Sequence, residues 1–350
     1  MILFNILGLL AVAGAVALLR RTAPERRPRL ALLLGPGLAF VGIAGAATCS
    51  GGDPFELMQL LAWLVFLHLP LYLSGATVVL WARARRTAAL AGVAAAAVLA
   101  VAVDAFLVEP HWLEITRLRV ESAKVERRLR LAVIADLQTD APGAFEEEVL
   151  RQALAARPDL VLLAGDYLHC DSSAEYAEQA RVLNDLFRRV GLAAPLGVFA
   201  VPGNVEWPGL WSEIFAGLPV TLFVRSGEVD LGPLVLTGLR LADSGNARIA
   251  IPARDKLHVV LGHVPDFALG RVEADLLVAG HTHGGQVQLP FIGPLLTLCQ
   301  VPRAWASGVT DVGRGRTLVV SRGLGMERSD APRLRFLCRP ELVLIDVVSE

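Results

Sequence analysis

No two of the chain's four cysteines stand in CxxC spacing, which excludes a structural zinc cluster. Cys170, Cys299 and Cys338 are left either to form one disulfide or to remain free buried thiols, and the sequence does not choose. No basic tract exceeds a few residues and the net charge is −1, so support for nucleic-acid binding is missing as well. Charge of either sign is scarce: 19% of residues are charged and 54% hydrophobic, too apolar for an ordinary soluble protein.

The shortage is local. Residues 1–110 hold nearly all the long apolar runs, whereas residues 111–350 have ordinary globular composition, with the boundary near Glu109-Pro110. Four segments, 2–19, 30–48, 57–81 and 88–108, reach the roughly 20 residues that cross a bilayer as helices. The first has no basic residue ahead of it, an arginine pair behind it and three further spans following, which marks an anchor and not a cleaved signal. His68 and Asp104 lie inside or near span ends and read as structural.

Arginine sets the expected topology. The first connection carries Arg20, Arg21, Arg26, Arg27 and Arg29 and the third Arg83, Arg85 and Arg86, while the second has only Asp53 and Glu56. By the positive-inside rule the first and third connections are cytoplasmic. Parity then puts the domain from residue 111 onward on the outer, periplasmic face of a multi-pass protein of a bacterial cell membrane. Arg117, Arg119, Lys124, Arg127, Arg128 and Arg130 argue the other way, but they belong to a large domain, where the rule weakens.

From residue 129 short apolar runs alternate with helical patterns: LRLAVIADL, FEEEVLRQALAAR, PDLVLLAGD, SAEYAEQARVLNDLFRRV and LGVFAVPGN. This alternation predicts a sheet with helical crossovers, in which ligands gather beyond the carboxyl ends of the strands. Chemically active residues stand at those ends: Asp136 and Gln138, Asp166, Asn204, then His263 after HVVL and His281 with His283 after ADLLVAG. Singly, each is turn chemistry or a structural histidine. Together they are metal-capable groups on one rim, and the mixture of oxygen and nitrogen donors suits two first-row divalent ions sharing a carboxylate.

In this order the stretches ADLQ, AGDY, PGNVE, LGHVPD and AGHTH resemble the signature of the calcineurin-like metallophosphoesterases, DxH, GD, GNH, GH and GHxH. GHTHGGQVQLP and SRGLGMERSDAPRLRFLCRPEL look like membrane-associated members, a subgroup that includes proteins linked to UDP-2,3-diacylglucosamine hydrolysis and others anchored at cell surfaces. The resemblance runs from about residue 113 to the C-terminus. It implies a four-layer αββα sandwich behind the all-α membrane region. It makes Asp166 the ligand bridging two metals, with Asp136 and His283 completing the first site and Asn204, His263 and His281 the second. Asn204, Asp166 and His281 become the catalytic residues around water activated between the ions.

Two positions depart from the pattern. Gln138 replaces a histidine, which makes the first site oxygen-rich and favours Mn²⁺, Mg²⁺ or Fe²⁺ over Zn²⁺, or else leaves that site empty. Val205 replaces the GNH histidine and cannot protonate a leaving group, a role worth about 10²–10⁴ in rate. Glu206 and His169 are candidate substitutes as acid or substrate-binding groups. The loss suits cleavage of a diphosphate bond, whose leaving group is already a weak base.

The reading is therefore a membrane-anchored metal-dependent phosphoesterase for a phosphorylated, lipid-linked nucleotide or sugar substrate beside the bilayer. Lipid A precursor cleavage is the family-level candidate, but that chemistry is cytoplasmic and conflicts with the outer placement. The alternative is a catalytically weak metal-binding membrane protein that keeps the fold. A transporter is poorly supported, since the spans offer few polar groups for a pathway.

Overall fold

The computed structural model describes residues 1–349. The chain divides into two compact units, Met1–Val108 with Glu327–Arg333, and Glu109–Met326 with the chain from Leu334 onward. Four helical stretches, Ile2–Arg21, Arg27–Cys49, Pro54–Leu80 and Arg85–His111, are long and apolar enough to cross a membrane. Small residues let these helices approach: a β-carbon on Gly75 would stand 2.6 Å from Val16, and one on Gly42 2.5 Å from Leu64. Their other faces expose Leu32, Leu33, Phe40 and Val41. His68 is buried against the Phe4 ring within this bundle.

The second unit is built on two six-stranded mixed sheets. In the first, Leu129–Ile134, Leu160–Leu163, Val198–Ala200 and Val220–Leu222 run parallel in that order. Glu341–Val348 pairs antiparallel with Leu129–Ile134 and parallel with Glu114–Glu121 at the edge. In the second, Leu234–Gly238, Leu257–Leu261, Leu276–Ala279 and Thr317–Val320 are parallel, flanked by the antiparallel edges Gly227–Asp230 and Gly308–Asp311.

The strands are apolar on both faces because both faces are buried. Leu131 and Val133 point into the core between the sheets with Val259, Leu261, Leu276 and Val278. Ala132 and Ile134 point the opposite way, against helices Ala144–Ala155 and Ser173–Val190. The second of these helices starts where Ser172 accepts a hydrogen bond from the Glu175 amide and stops at Gly191, whose φ of 68° ends it in a left-handed turn. The outer face of the second sheet is covered more thinly, by the short helical turns Leu241–Ser244 and Pro265–Leu269 and the ladder of Ala250–Ile251 with Arg271–Val272.

A cross-strand ion pair closes the far end of the first sheet. Arg130 and Asp346 are register partners, and the guanidinium grips both carboxylate oxygens at 2.7 and 2.8 Å. Arg130 holds the Asp346 carboxyl below the usual range. A carboxylate with a depressed folded pKa contributes stability above its unfolded pKa and loses it as pH falls through the folded value. Asp346→Asn therefore lowers the melting temperature by a constant amount above about pH 5, an effect of about 1–2 kcal/mol, and the gap to the parent shrinks below about pH 4. Melting curves across that range check it; a gap independent of pH would show that the ion pair contributes nothing.

Candidate metal centre

Parallel strands in both sheets deliver their carboxyl ends to one rim. Leu129–Ile134 supplies Asp136 and Gln138, Leu160–Leu163 supplies Asp166, Val198–Ala200 supplies Asn204, Leu257–Leu261 supplies His263, and Leu276–Ala279 supplies His281 and His283. The turns leaving these strands are tight. Of the twelve non-glycine residues with positive φ among the described residues, five are Asp136, Gln138, Asp166, His281 and His283. Such a conformation costs free energy at each site and persists only when its surroundings enforce it.

The enforcement is visible in hydrogen bonds between the loops. Asp136 N donates to Gly165 O at 3.0 Å and Gln138 N to Asp166 O at 2.8 Å, tying the first two loops together. His281 N donates to Asp136 Oδ1 at 2.9 Å, joining the sheets. Gly203 is required for close approach, because a β-carbon there would stand 2.0 Å from Asp166 Oδ1.

Two groups of ligand atoms result, each with all atoms within 4.8 Å of one another: Asp136, Asp166 and His283, and Asp166, His263 and His281. They share Asp166. Asn204 joins the second through its Oδ1, 2.9 Å from His263 Nε2. Gln138 stands beside the first, and its amide nitrogen donates to His169 Nδ1 at 3.0 Å.

The residues fit divalent cations. His263 Nδ1 is 2.8 Å from the Ala164 carbonyl, so its N–H points there and Nε2 is left facing Asp166 Oδ2 at 3.2 Å and Asn204 Oδ1. A ring nitrogen aimed at two oxygen acceptors asks for positive charge there, carried by a proton or by a divalent ion that takes its place. Asp136 Oδ2 is buried and has no hydrogen-bond partner. The electrostatics agree: burial opposes the His263 imidazolium, yet Asp166 and Asp136 push its pKa up to about 10. Burial also opposes the Asp166 carboxylate, and His263 holds it down at about 2. Burial first, then Arg335, pushes His283 down to about 3, which keeps it a neutral ligand.

The structure gives Glu206 and His169 partners in neighbouring loops. Glu206 oxygens accept from Tyr167 N at 2.7 Å and Gly203 N, bracing the loop after one strand against the loop after the next. Burial and the Asp166 charge push its pKa up to about 8. His169 instead faces Gln138. Val205 contributes its backbone: the amide donates to Asp166 Oδ1 at 3.1 Å. His258 is a buried core residue, 2.8 Å from Thr237 Oγ1.

Arg335 has a role that sequence reasoning missed. Its side chain is fully buried and donates to the carbonyls of Arg322, Gly323, Gly325 and Cys338. The loop so gripped returns amide hydrogen bonds from Leu324 and Gly325 to Asp136 O at 3.1 and 2.6 Å. The available signal was an arginine inside the apolar run LRFLC, a charge that cannot be buried without several acceptors.

The calcineurin-like phosphoesterase family matches residues 129–285. Among curated proteins, this chain is 27% identical over 260 residues to the metallophosphoesterase YkuE of Bacillus subtilis, covering 69% of this chain and 87% of that one. It is 28% identical over 249 residues to phosphodiesterase YaeI of Escherichia coli, covering 69% and 90%. It is 25% identical over 332 residues to UDP-2,3-diacylglucosamine pyrophosphatase LpxG of Chlamydia trachomatis, covering 75% and 98%.

Proposed function

Residues 129–285 form a calcineurin-like phosphoesterase domain, a hydrolase of phosphoric ester bonds, and from that premise we propose that the chain is a membrane-anchored enzyme cleaving a diphosphate bond in a lipid-linked nucleotide or sugar. The observation that carries this reading is the pair of ligand groups sharing Asp166. Asp136, Asp166 and His283, with Gln138 beside them, would hold one divalent ion; Asp166, Asn204, His263 and His281 would hold the other. When bound, the two ions supply an activated water and neutralise charge developing on the phosphoryl oxygens.

The chain's own residues restrict the substrate. Val205 offers no proton to a departing oxygen, so the reaction suits a leaving group that is already stable as an anion, such as a nucleoside monophosphate. His169 fixes the Gln138 carboxamide through the amide nitrogen, which leaves the carbonyl oxygen as its metal-facing atom. The four apolar helices and the name of the chlamydial relative support a substrate in the bilayer. The arginine distribution of the connections supports placing the domain on the outer face, which favours a lipid-linked diphosphate of that leaflet over a cytoplasmic lipid A precursor.

Turnover of the full chain, loaded with Mn²⁺, tests the proposal on two substrates. A UDP-linked diacyl sugar diphosphate is cleaved, whereas a simple alkyl phosphodiester is cleaved slowly. Val205→His raises the alkyl rate by about 10²-fold or more and leaves the diphosphate rate within a few-fold. Metal content without turnover of either substrate by the parent chain would favour the alternative of a metal-binding membrane protein that keeps the fold, to which Val205 also points. Equal enhancement of both substrates would overturn the leaving-group argument.

A further inference from the structure

The segment following His283 carries an exposed apolar tip. Gln288–Leu289 pairs antiparallel with Gly293–Pro294, and the turn between them presents Phe291 and Ile292 to the outside. Phe291 is fully exposed, Ile292 is 60% and Leu295 53% exposed. Exposed apolar side chains clustered this way mark a surface that meets another apolar phase.

The path from this tip to the entry of the chain from the last apolar helix runs through hydrogen bonds within the domain itself. The hairpin is fastened to the segment around Phe336: Gln288 N donates to Phe336 O at 2.9 Å and Phe336 N to Gln286 O at 3.0 Å. The next two residues, Leu337 and Cys338, donate their amides to the buried carboxylate of Glu109. Glu109 lies in the last turn of the fourth apolar helical stretch, Arg85–His111. Trp112, three residues on, is 56% exposed with the Arg339 guanidinium 4.3 Å over its ring. A tryptophan at the end of a span is a marker of headgroup depth, and an arginine beside it suits the same layer.

The same segment reaches the metal centre. Cys338 Sγ donates to the His283 carbonyl at 3.2 Å, and His281 Nε2 is 3.2 Å from Leu298 O at the far end of the hairpin segment. The apolar tip, the entry from the span and the ligand histidines are thus joined by a chain of hydrogen bonds within the domain.

We propose that the Gln288–Pro294 hairpin is an interfacial element that inserts Phe291 and Ile292 into the acyl layer of the bilayer and so holds the mouth of the metal centre at the membrane surface. This rests on the reading of the chain as a membrane-anchored phosphoesterase. The occupant is the bilayer and not a protein partner, because the covalent link at Glu109 keeps this segment within reach of the membrane that the four helices span. The hairpin brings the active centre to the depth where the diphosphate of a lipid-linked substrate lies, while the acyl chains remain in the membrane.

The test uses the full-length chain in nanodiscs of phosphatidylethanolamine and phosphatidylglycerol, with and without doxyl-labelled acyl chains. Bimane is attached at Phe291→Cys in a Cys49→Ser, Cys299→Ser background, and at Arg314→Cys as a control. Arg314 sits in the turn before Thr317–Val320, at the opposite rim of the second sheet from the ligand residues. Bimane at 291 loses roughly half its emission to the doxyl lipid and bimane at 314 loses little. Equal emission loss at the two positions overturns the proposal. In a second arm, Phe291→Asp with Ile292→Asp raises KM about tenfold for a diphosphate lipid presented in nanodiscs and leaves bis(p-nitrophenyl) phosphate unaffected. If the parent chain cleaves neither compound, the enzyme reading fails, and the quenching result still decides the hairpin.

Discussion

Asp166→Asn lowers kcat/KM by on the order of 10³ and strips metal from both sites, a loss equivalent to about 4 kcal/mol of transition-state stabilisation. Both ligand groups contain Asp166, so one substitution weakens two sites, which no other residue in the two groups can do. The change removes a charge and keeps the shape. Val205 N can still donate to the side-chain oxygen that it already contacts at 3.1 Å, so the loop stays in place, while loss of the buried ion pair with His263 lowers the melting temperature without added metal. Metal per chain after gel filtration, measured alongside turnover, checks this. Retention of two metals with a rate within tenfold of the parent would remove Asp166 from the centre. A loss of one metal only would show that the carboxylate does not bridge.

Arg335→Met lowers stability by about 3–5 kcal/mol, because it takes the donors from four backbone carbonyls, those of Gly323 and Cys338 buried and those of Arg322 and Gly325 half-buried. For a domain of this size the melting temperature falls by roughly 10 °C. Arg335→Lys recovers little, since an ammonium has three donors and no planar fork to reach carbonyls from Arg322, Gly323, Gly325 and Cys338 together. The variant also loses metal affinity, by about 10- to 100-fold at the site containing Asp136, since the released loop no longer supports that residue through Leu324 and Gly325. Thermal melting with calorimetric metal titration of the parent and both variants separates the two effects. A melting point shifted by less than a few degrees would mean that water replaces the guanidinium without cost, and the argument from orphaned carbonyls would fall.

Much of the candidate centre was legible as a list. The residues sit at strand ends, and a strand end is readable from an apolar run followed by glycine and a polar residue, as in LLAGD and LVAGH. The alternation of helices and strands was legible for the same reason, and helix Ser173–Val190 begins and ends where its cap residues Ser172 and Gly191 stand in the sequence. Roles were less legible. Glu206 reads as an exposed acid beside a missing histidine, yet its carboxylate is committed to two backbone amides from loops 39 and 3 residues away in sequence. His169 reads as a spare histidine, and only the hydrogen bonds pairing the 136–139 loop with the 166–169 loop bring it to Gln138.

The sequence by itself determined the apolar character of the first hundred residues, the alternation of strands and helices over residues 129–204, and which side chains are chemically able to bind a cation. Those are local properties of composition and periodicity. Tertiary structure decided which of them meet: that the ends of strands from two separate sheets face one rim, that Asp166 belongs to both ligand groups, and that the Arg335 loop, some 200 residues from Asp136, closes over it. It also decided that the hairpin bearing Phe291 is tied through Phe336 to the backbone that Glu109 holds. Contacts between distant segments depend on how two sheets pack through a shared core, and no period or spacing along the chain encodes that packing in readable form.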